Sequence, residues 1–273
     1  MAYRHDKWIF RNSIDHEYKY SGNYGAKGEK RVKRKKATPE QMKKQNQRNK
    51  EKRVWRKIRA NFQVGDHWAT LKYPKGTKKA VNEVLADMRN FLRTARGKYK
   101  RLGSGLKYIY RIEMGKKGGI HIHIIINRIP SKDSDRIIEE CWKWGMVNFQ
   151  SLYSAGDFKV LASYITKQAV EEEEEYKQLE LFDEKEKRSL IRISSSRNLI
   201  EPKAERKEYT RKTMRKVLEG EITPTQGFYI DKNSIVQGVN PYTGKSYLHY
   251  TEYRTEVQKG EWENDVKRDN GQQ

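Results

Sequence analysis

Isoleucine recurs at every second position between Gly119 and Asn127, which predicts a β-strand with one apolar face. The isoleucines at even positions from 120 to 126 share that face and indicate a core. His121 and His123 lie on the other face, where a run otherwise rich in isoleucine gives way to imidazoles. The histidines therefore need a chemical explanation.

Hydrophobic periodicity predicts alternating strands and helices from about residue 61 onward. The predicted strands are residues 67–73, 107–114, 120–127 and 146–152, and the predicted helices are residues 78–96, 134–144 and 157–170. Two of these strands, 107–114 and 120–127, form a hairpin around a loop rich in glycine and lysine. This order predicts an α+β fold in which helices pack on one face of an antiparallel sheet.

The N-terminal region is strongly basic. Residues 1–60 contain 20 Lys and Arg against 6 Asp and Glu, more than half of the net charge of +23. We predict a basic arm, of which residues 18–36 are extended when free. A helix begins inside it, because Thr38 and Gln41 form a capping box. An apolar stripe at i, i+4 spacing then predicts docking on the main domain through Val54, Ile58 and Phe62.

The remaining boundaries follow from the same patterns. Residues 61–200 are predicted to form the main domain, ending in a short strand near 189–196, and residues 201–273 a C-terminal extension. The extension is predicted to contain a basic helix at 205–220 and a strand pair within 228–255. The run of five glutamates at 171–175 is interpreted as a solvated surface.

Composition adds a class of partner. The net charge of +23, with tyrosine and tryptophan among the basic residues, suits a polyanion such as nucleic acid. A ribosomal-type or otherwise merely basic soluble protein is the alternative. Cys141 is the only cysteine, which excludes an intrachain disulfide and favours a reducing compartment. No apolar run reaches the ~18 residues of a membrane span, so we expect a cytoplasmic protein with no membrane partner.

The predicted hairpin gives the histidines neighbours. If it closes around residues 115–119, Glu113 lies opposite His121 and Arg111 lies opposite His123. Two imidazoles and one carboxylate on a rigid hairpin form a three-point site with open positions, suited to a divalent metal ion that also holds a substrate oxygen. Ligation without thiolate favours Mg²⁺ or Mn²⁺. The alternative is that these are partly buried polar residues without a metal.

A second pair of chemically active residues lies on the predicted helix 157–170. Tyr164 and Lys167 are three residues apart, at the margin of an apolar stripe. A tyrosine phenolate can attack a phosphodiester if a metal withdraws charge from the phosphate and a cation stabilises the phenolate. A tyrosine beside an apolar stripe more often only packs, so its combination with the metal site carries the interpretation.

The order His-Ile-His at 121–123, then Tyr-x-x-Lys at 164–167, resembles the HUH endonucleases, in which U is a hydrophobic residue. Within them it is similar to the single-tyrosine rolling-circle replication initiators of plasmids, phages and integrative elements. Further stretches resemble a replication-associated protein family common in Gram-positive bacteria, namely residues 38–41, 61–62, 65–66, 68–73 and 194–199. The resemblance extends from about Tyr18 to beyond Arg197.

The resemblance implies a ferredoxin-like or RRM-like sheet of about five antiparallel strands and an HUH endonuclease domain within residues 61–200. It implies His121, His123 and Glu113 as metal ligands, with Tyr164 as nucleophile and Lys167 beside it. The family's first motif is usually Thr-Leu-Thr-Tyr, whereas this chain has lysine at the third position. The residues expected to contact DNA are Lys72, Arg111, Lys116, Lys117 and Arg197.

The leading hypothesis is a metal-dependent nickase and religase that starts rolling-circle replication by joining its tyrosine to a 5′ phosphate. Its expected partners are single-stranded or supercoiled origin DNA and a host helicase, since 273 residues leave no room for a helicase. A conjugative relaxase or a single-tyrosine transposase would use the same chemistry. A non-enzymatic RNA- or DNA-binding protein of ferredoxin-like fold would instead expose aromatics on its central strands. An inactive repressor derived from a nickase remains a further alternative.

Overall fold

The computed structural model describes residues 3–21, 37–77, 79–114, 119–130, 132–151, 158–166, 192–220, 222–240 and 244–255. The chain divides into two compact units, Lys43–Glu201 and Met1–Met42 together with Pro202–Gln273. Each unit is built on its own antiparallel sheet.

The elements are numbered in chain order. The strands are β1 (Tyr3–Ile9), β2 (Ser13–Tyr20), β3 (His67–Lys72), β4 (Tyr108–Met114), β5 (Ile120–Ile126), β6 (Met146–Ser151), β7 (Ile193–Ser195), β8 (Glu205–Tyr209), β9 (Phe228–Ile230), β10 (Val236–Asn240) and β11 (Lys245–Arg254). The helices are α1 (Pro39–Asn61), α2 (Val81–Arg101), α3 (Ser134–Cys141), α4 (Lys159–Thr166) and α5 (Arg211–Glu219), with a 3-10 turn at Lys232–Ser234.

The sheet of the Lys43–Glu201 unit has the strand order β6-β3-β5-β4-β7, and every neighbouring pair is antiparallel. Helix α2 connects β3 to β4 and helix α3 connects β5 to β6, so each connection passes one intervening strand. This arrangement is ferredoxin-like, with β7 added at one edge. The predicted α+β class with an antiparallel sheet of about five strands is confirmed.

One face of this sheet carries the main core. The even-numbered isoleucines of β5, from Ile120 to Ile126, are at most 5% exposed and pack against α2 and α3. The predicted apolar side of α2 is confirmed, because Val81, Met88 and Leu92 are buried in the same core. The period of two along the strand and the period of 3.6 along the helix therefore meet in one layer.

The opposite face is also covered, whereas the sequence led us to expect helices on one face only. Ile109 and Ile125 form an apolar patch there, and leaving it in water would cost free energy. Helices α1 and α4 cover this patch and form a second cluster with it. The predicted α1 stripe is confirmed within this cluster by Val54, Ile58 and Phe62.

The predicted start of α1 is confirmed in detail. The Thr38 backbone N–H donates to Gln41 Oε1 at 2.9 Å, and the Gln41 N–H donates to Thr38 Oγ1 at 3.3 Å. These reciprocal bonds satisfy two backbone donors that the first helical turn leaves unpaired.

The second sheet corrects the predicted boundaries at both ends of the chain. Its strand order is β10-β11-β2-β1-β8, with β9 also paired to β11. Residues 3–20, assigned to a basic arm, are therefore two strands of a sheet, and the segment after residue 201 completes that sheet rather than forming a separate extension. Burial of Tyr3 and Tyr18 against Met214 and Leu248 explains why the two ends fold together.

Two finer predictions also change. Residues 205–220 were expected to be one basic helix, but Glu205–Tyr209 is strand β8 and only Arg211–Glu219 is helical. Pairing with β1 explains the strand, because Asp6 lies opposite Arg206 and the Arg206 Nε donates to Asp6 Oδ1 at 2.8 Å. The glutamates 171–175 lie outside the described residues. Among the described helices, none is long and apolar enough to cross a membrane.

Asp66 fastens the entrance to β3 and is 3% exposed. Its Oδ1 accepts a hydrogen bond from the Arg128 backbone N–H at 2.7 Å, and its Oδ2 accepts one from the Gln63 N–H at 2.9 Å. Burial raises the pKa of this carboxyl to about 6, although the two backbone donors act in the opposite direction. Asp66 thus holds the start of one central strand to the segment that follows β5.

The raised pKa of Asp66 predicts a pH-dependent stability. Because the folded-state pKa lies above the ordinary value, the protonated form favours folding, and this contribution is lost as the pH rises from about 4 through 6. We expect the free energy of unfolding of the wild type, relative to Asp66→Asn, to fall by about 2 kcal/mol over that window. Urea unfolding of both proteins at several pH values measures it. Parallel stability curves would contradict the assignment.

A second prediction concerns the close approach of Gly145 to β3. A Cβ added at Gly145, whose φ is 158°, would lie 2.1 Å from the backbone oxygen of Lys72. Gly145→Ala should therefore destabilise the protein by about 1–3 kcal/mol. Gly97→Ala is the matched control: Gly97 lies inside α2 with open space around its Cβ position, and alanine there should stabilise by about 0.5–1 kcal/mol. Thermal unfolding that moves both variants in the same direction would refute this difference.

Candidate active site

The strand register places the candidate residues in rows across one face of the five-stranded sheet. Glu113 lies opposite His121, as predicted, and His121 lies opposite Lys72. In the next row, Arg111 lies opposite His123. These residues share the face that α1 and α4 cover farther along, because each is an odd number of residues from the buried isoleucines of its strand or lies opposite one that is.

His123 is the centre of the hydrogen-bond network. Its Nδ1 lies 3.2 Å from Thr70 Oγ1, and its Nε2 lies 2.9 Å from Glu113 Oε2. Thr70 lies opposite His123 on β3, so the threonine contact follows from the sheet register. The pairing of one imidazole nitrogen with a hydroxyl orients the ring and leaves the other nitrogen facing the site.

Tyr164 reaches the same atoms from α4. Its hydroxyl donates to Glu113 Oε2 at 3.3 Å and lies 3.3 Å from His123 Nε2. Its ring packs against Trp68, with centroids 5.5 Å apart. Phe158, one of the predicted apolar positions, is buried below it, as are two further predicted positions of this stripe, Leu161 and Ile165.

Tyr164 itself is 39% exposed, in contrast to the buried stripe residues on the same helix. The geometry therefore agrees with its predicted place at the margin of the helix. The result is a solvent-accessible hydroxyl held beside a carboxylate and an imidazole.

The electrostatics favour an ionised Glu113 and a neutral His121. The hydrogen bond from His123 holds the pKa of Glu113 below its ordinary value, opposed by burial and assisted by the charges of His123 and Arg111. Burial lowers the pKa of His121, and the nearby charge of Lys72 lowers it further. A carboxylate and a neutral imidazole are the protonation states in which these groups bind metal ions.

The donor set fits a divalent cation in chemistry, although the three side chains do not form a ready cluster. Across the described part of the chain, no three His, Cys, Asp or Glu side chains stand together as a group that could hold a metal ion. His121 Nε2 lies toward Gly119, 3.8 Å from the position that a Cβ would occupy there. Holding an ion with His123 and Glu113 would thus require the His121 ring to turn toward them.

The structure brings some of the other predicted residues to the site and leaves others away. Lys72 and Arg111 lie in the two polar rows. Arg197 is exposed in the turn after β7 and lies close enough to Tyr108 for its charge to act on that hydroxyl, which belongs to the opposite face of the sheet. Three predicted residues lie outside the described part of the chain, namely Lys116, Lys117 and Lys167.

Three residues that carry no predicted role surround the nucleophile. Thr70 contacts His123, Trp68 contacts Tyr164, and Lys50 of α1 lies near enough to Arg111 to feel its charge. The alternation of Trp68 and Thr70 on β3 placed them on one face, but no local pattern indicates which strand lies beside them. Lys50 stands four residues before Val54, so the i, i+4 stripe of α1 was a signal for its direction.

Comparison with known proteins supports a replication-associated protein. Residues 66–169 match a family model described as replication-associated protein ORF2. The matched segment begins at Asp66 and includes β3 to α4, so it contains the His121, His123, Glu113 and Tyr164 site. No curated protein and no solved structure matches the chain. The match supports a role in initiating DNA replication.

Proposed function

We propose that this chain is an HUH-type rolling-circle replication initiator of a plasmid, phage or integrative element of Gram-positive bacteria. It nicks and rejoins single-stranded origin DNA through a 5′-phosphotyrosine. The observation that carries the proposal is the position of the Tyr164 hydroxyl, 3.3 Å from both Glu113 and His123, inside a segment that matches replication-associated proteins. A phenol between a carboxylate and an imidazole can lose its proton as it attacks.

Each group has a role in the proposed step. Tyr164 Oη attacks the phosphorus of the scissile linkage, the bond from phosphorus to the 3′ oxygen breaks, and a 3′ hydroxyl and a 5′-phosphotyrosine remain. Glu113, which accepts the hydrogen bond from Tyr164, takes the phenol proton. Rejoining is the reverse attack by a 3′ hydroxyl, which conserves the energy of the phosphodiester bond. Lys167 remains the predicted cation beside the phenolate.

His121, His123 and Glu113 are the residues that would hold Mg²⁺ or Mn²⁺. When bound, the ion withdraws charge from the phosphate oxygens and makes phosphorus a better electrophile. Thr70 assists by accepting a hydrogen bond from His123 Nδ1, which leaves the Nε2 lone pair available as a ligand. The ligand role of these side chains rests on their donor chemistry and shared face.

One observation weighs against a non-enzymatic RNA-binding protein. That alternative predicts exposed aromatics on the central strands. Among the strand residues of the five-stranded sheet whose exposure is described, Met146 on edge strand β6 is the exposed large apolar side chain. The polar rows on this sheet thus favour chemistry over base stacking.

The proposal predicts that Tyr164→Phe abolishes covalent joining while the fold remains. The substitution removes only a partly exposed hydroxyl, so packing against Trp68 should persist. Incubation with a supercoiled plasmid carrying the element's own origin, followed by denaturing electrophoresis, measures nicking and the protein–DNA adduct. We expect both to vanish together with rejoining of a second strand.

Tyr110→Phe is the matched control, because Tyr110 is on β4 but packs against the core of the opposite face. It should form the adduct at the wild-type rate. Mass spectrometry of the wild-type adduct identifies the nucleophile. A nucleotide attached to Tyr153, or an adduct that persists in Tyr164→Phe, would show that Tyr164 is not the nucleophile.

The proposed ligands predict one Mn²⁺ site that can be measured without DNA. Titration calorimetry should show that His121→Ala, His123→Ala and Glu113→Gln each weaken Mn²⁺ binding by at least about tenfold. His67→Ala is the control, because His67 lies on the opposite face and contacts Ser134 at 2.8 Å. If His121→Ala binds Mn²⁺ as tightly as the wild type, His121 is not a ligand.

A further inference from the structure

Arg111 is a buried cation with an unused donor beside the nucleophile. It is 5% exposed, and its Nη1 donates to the backbone oxygen of Tyr164 at 3.4 Å. Its Nε is buried and has no hydrogen-bond partner among the described residues. A buried guanidinium nitrogen without a partner costs free energy, which indicates that a partner binds there at some stage of function.

Lys50 approaches the same point from α1. Gln47 and Lys50 are half-buried, whereas Arg48 and Asn49 between them are exposed, so this edge of the helix faces α4 and the sheet. The Gln47 side chain donates to the backbone oxygen of Thr166 at 2.8 Å, which fixes the helix against the end of α4. Burial lowers the pKa of the Lys50 ammonium, and the charge of Arg111 lowers it further.

The two cations repel each other without a dedicated counter-ion. Within the described residues, neither Arg111 nor Lys50 is in an ion pair with Asp or Glu. Glu113 is near enough for Arg111 to lower its pKa, but its carboxylate already bonds to His123 and Tyr164. Two adjacent half-buried or buried positive charges destabilise a fold unless an anion joins them.

We propose that Arg111 and Lys50 form a binding site for one phosphate group of single-stranded DNA, on the α1 side of Tyr164. The assignment of the phosphate to DNA rests on the proposed function; the presence of an anion site does not. Arg111 adjoins His123 across the sheet and contacts the backbone of Tyr164, so a phosphate held by its free Nε lies next to the nucleophile. The pair therefore positions the strand and balances negative charge during attack.

The sharpest test is Lys50→Met, because a structural role and an anion-binding role predict opposite results. Removal of the repulsion should raise the melting temperature in chloride buffer by about 2 °C or more. The same variant should lose most of the extra stabilisation that inorganic phosphate gives the wild type at matched ionic strength. Lys44→Met is the control: Lys44 is exposed on the same helix, and its loss changes the net charge equally.

Each outcome of the phosphate experiment is decisive. A lower melting temperature for Lys50→Met in chloride would make Lys50 structural and overturn the proposal. Equal phosphate stabilisation of the wild type, Lys50→Met and Lys44→Met would mean that phosphate binds elsewhere on a basic surface, and would also overturn it.

The adduct assay then connects the site to DNA. Arg111→Lys retains the charge but loses the planar donor group, and both it and Lys50→Met should slow adduct formation with origin DNA by about tenfold or more. Tyr164→Phe forms no adduct, so the three variants are distinguishable. If the wild type forms no adduct, the proposed function fails, and the phosphate measurement still decides whether the anion site exists. Wild-type adduct rates in both cation variants would exclude the pair from DNA binding.

Discussion

The register between β4 and β5 is the constraint on which the candidate site depends. A shift of one residue would exchange the faces of a strand and move Glu113 away from His121. The isoleucines of β5 prevent such a shift, because each buried side chain of that size contributes about 1.5–3 kcal/mol. The polar chemistry on one face is thus held in place by the packing of the other face.

The local part of this arrangement was predictable from the sequence. The hairpin register followed from a period of two and a short loop, and the capping box at Thr38 followed from spacing alone. The contact between Thr70 and His123 did not, because the two residues are 53 positions apart and nothing near either one specifies the pairing. The terminal sheet escaped prediction for the same reason, and because aromatic and charged residues in β1 obscured the apolar alternation.

The position of the nucleophile depends on contacts made by two other elements. Helix α4 spans only Lys159–Thr166, and a helix of eight residues is marginal without tertiary support. Arg111 from β4 and Gln47 from α1 donate to carbonyl groups in its last turn, where the helix itself provides no partners. The cations and amides around Tyr164 therefore serve the geometry of the helix end as well as the chemistry proposed there.

The terminal sheet imposes an order on synthesis. Strand β2 is flanked by β1 and β11, and Ile14 must wait for Glu252 before that side of the strand is paired. All five strands around the histidines have left the ribosome long before β11 is translated. Because domains fold as units during translation, the candidate active site can form on a nascent chain whose N-terminal hairpin still has an open edge. Until the last strand arrives, that edge is the part of the molecule most exposed to pairing with a neighbouring chain.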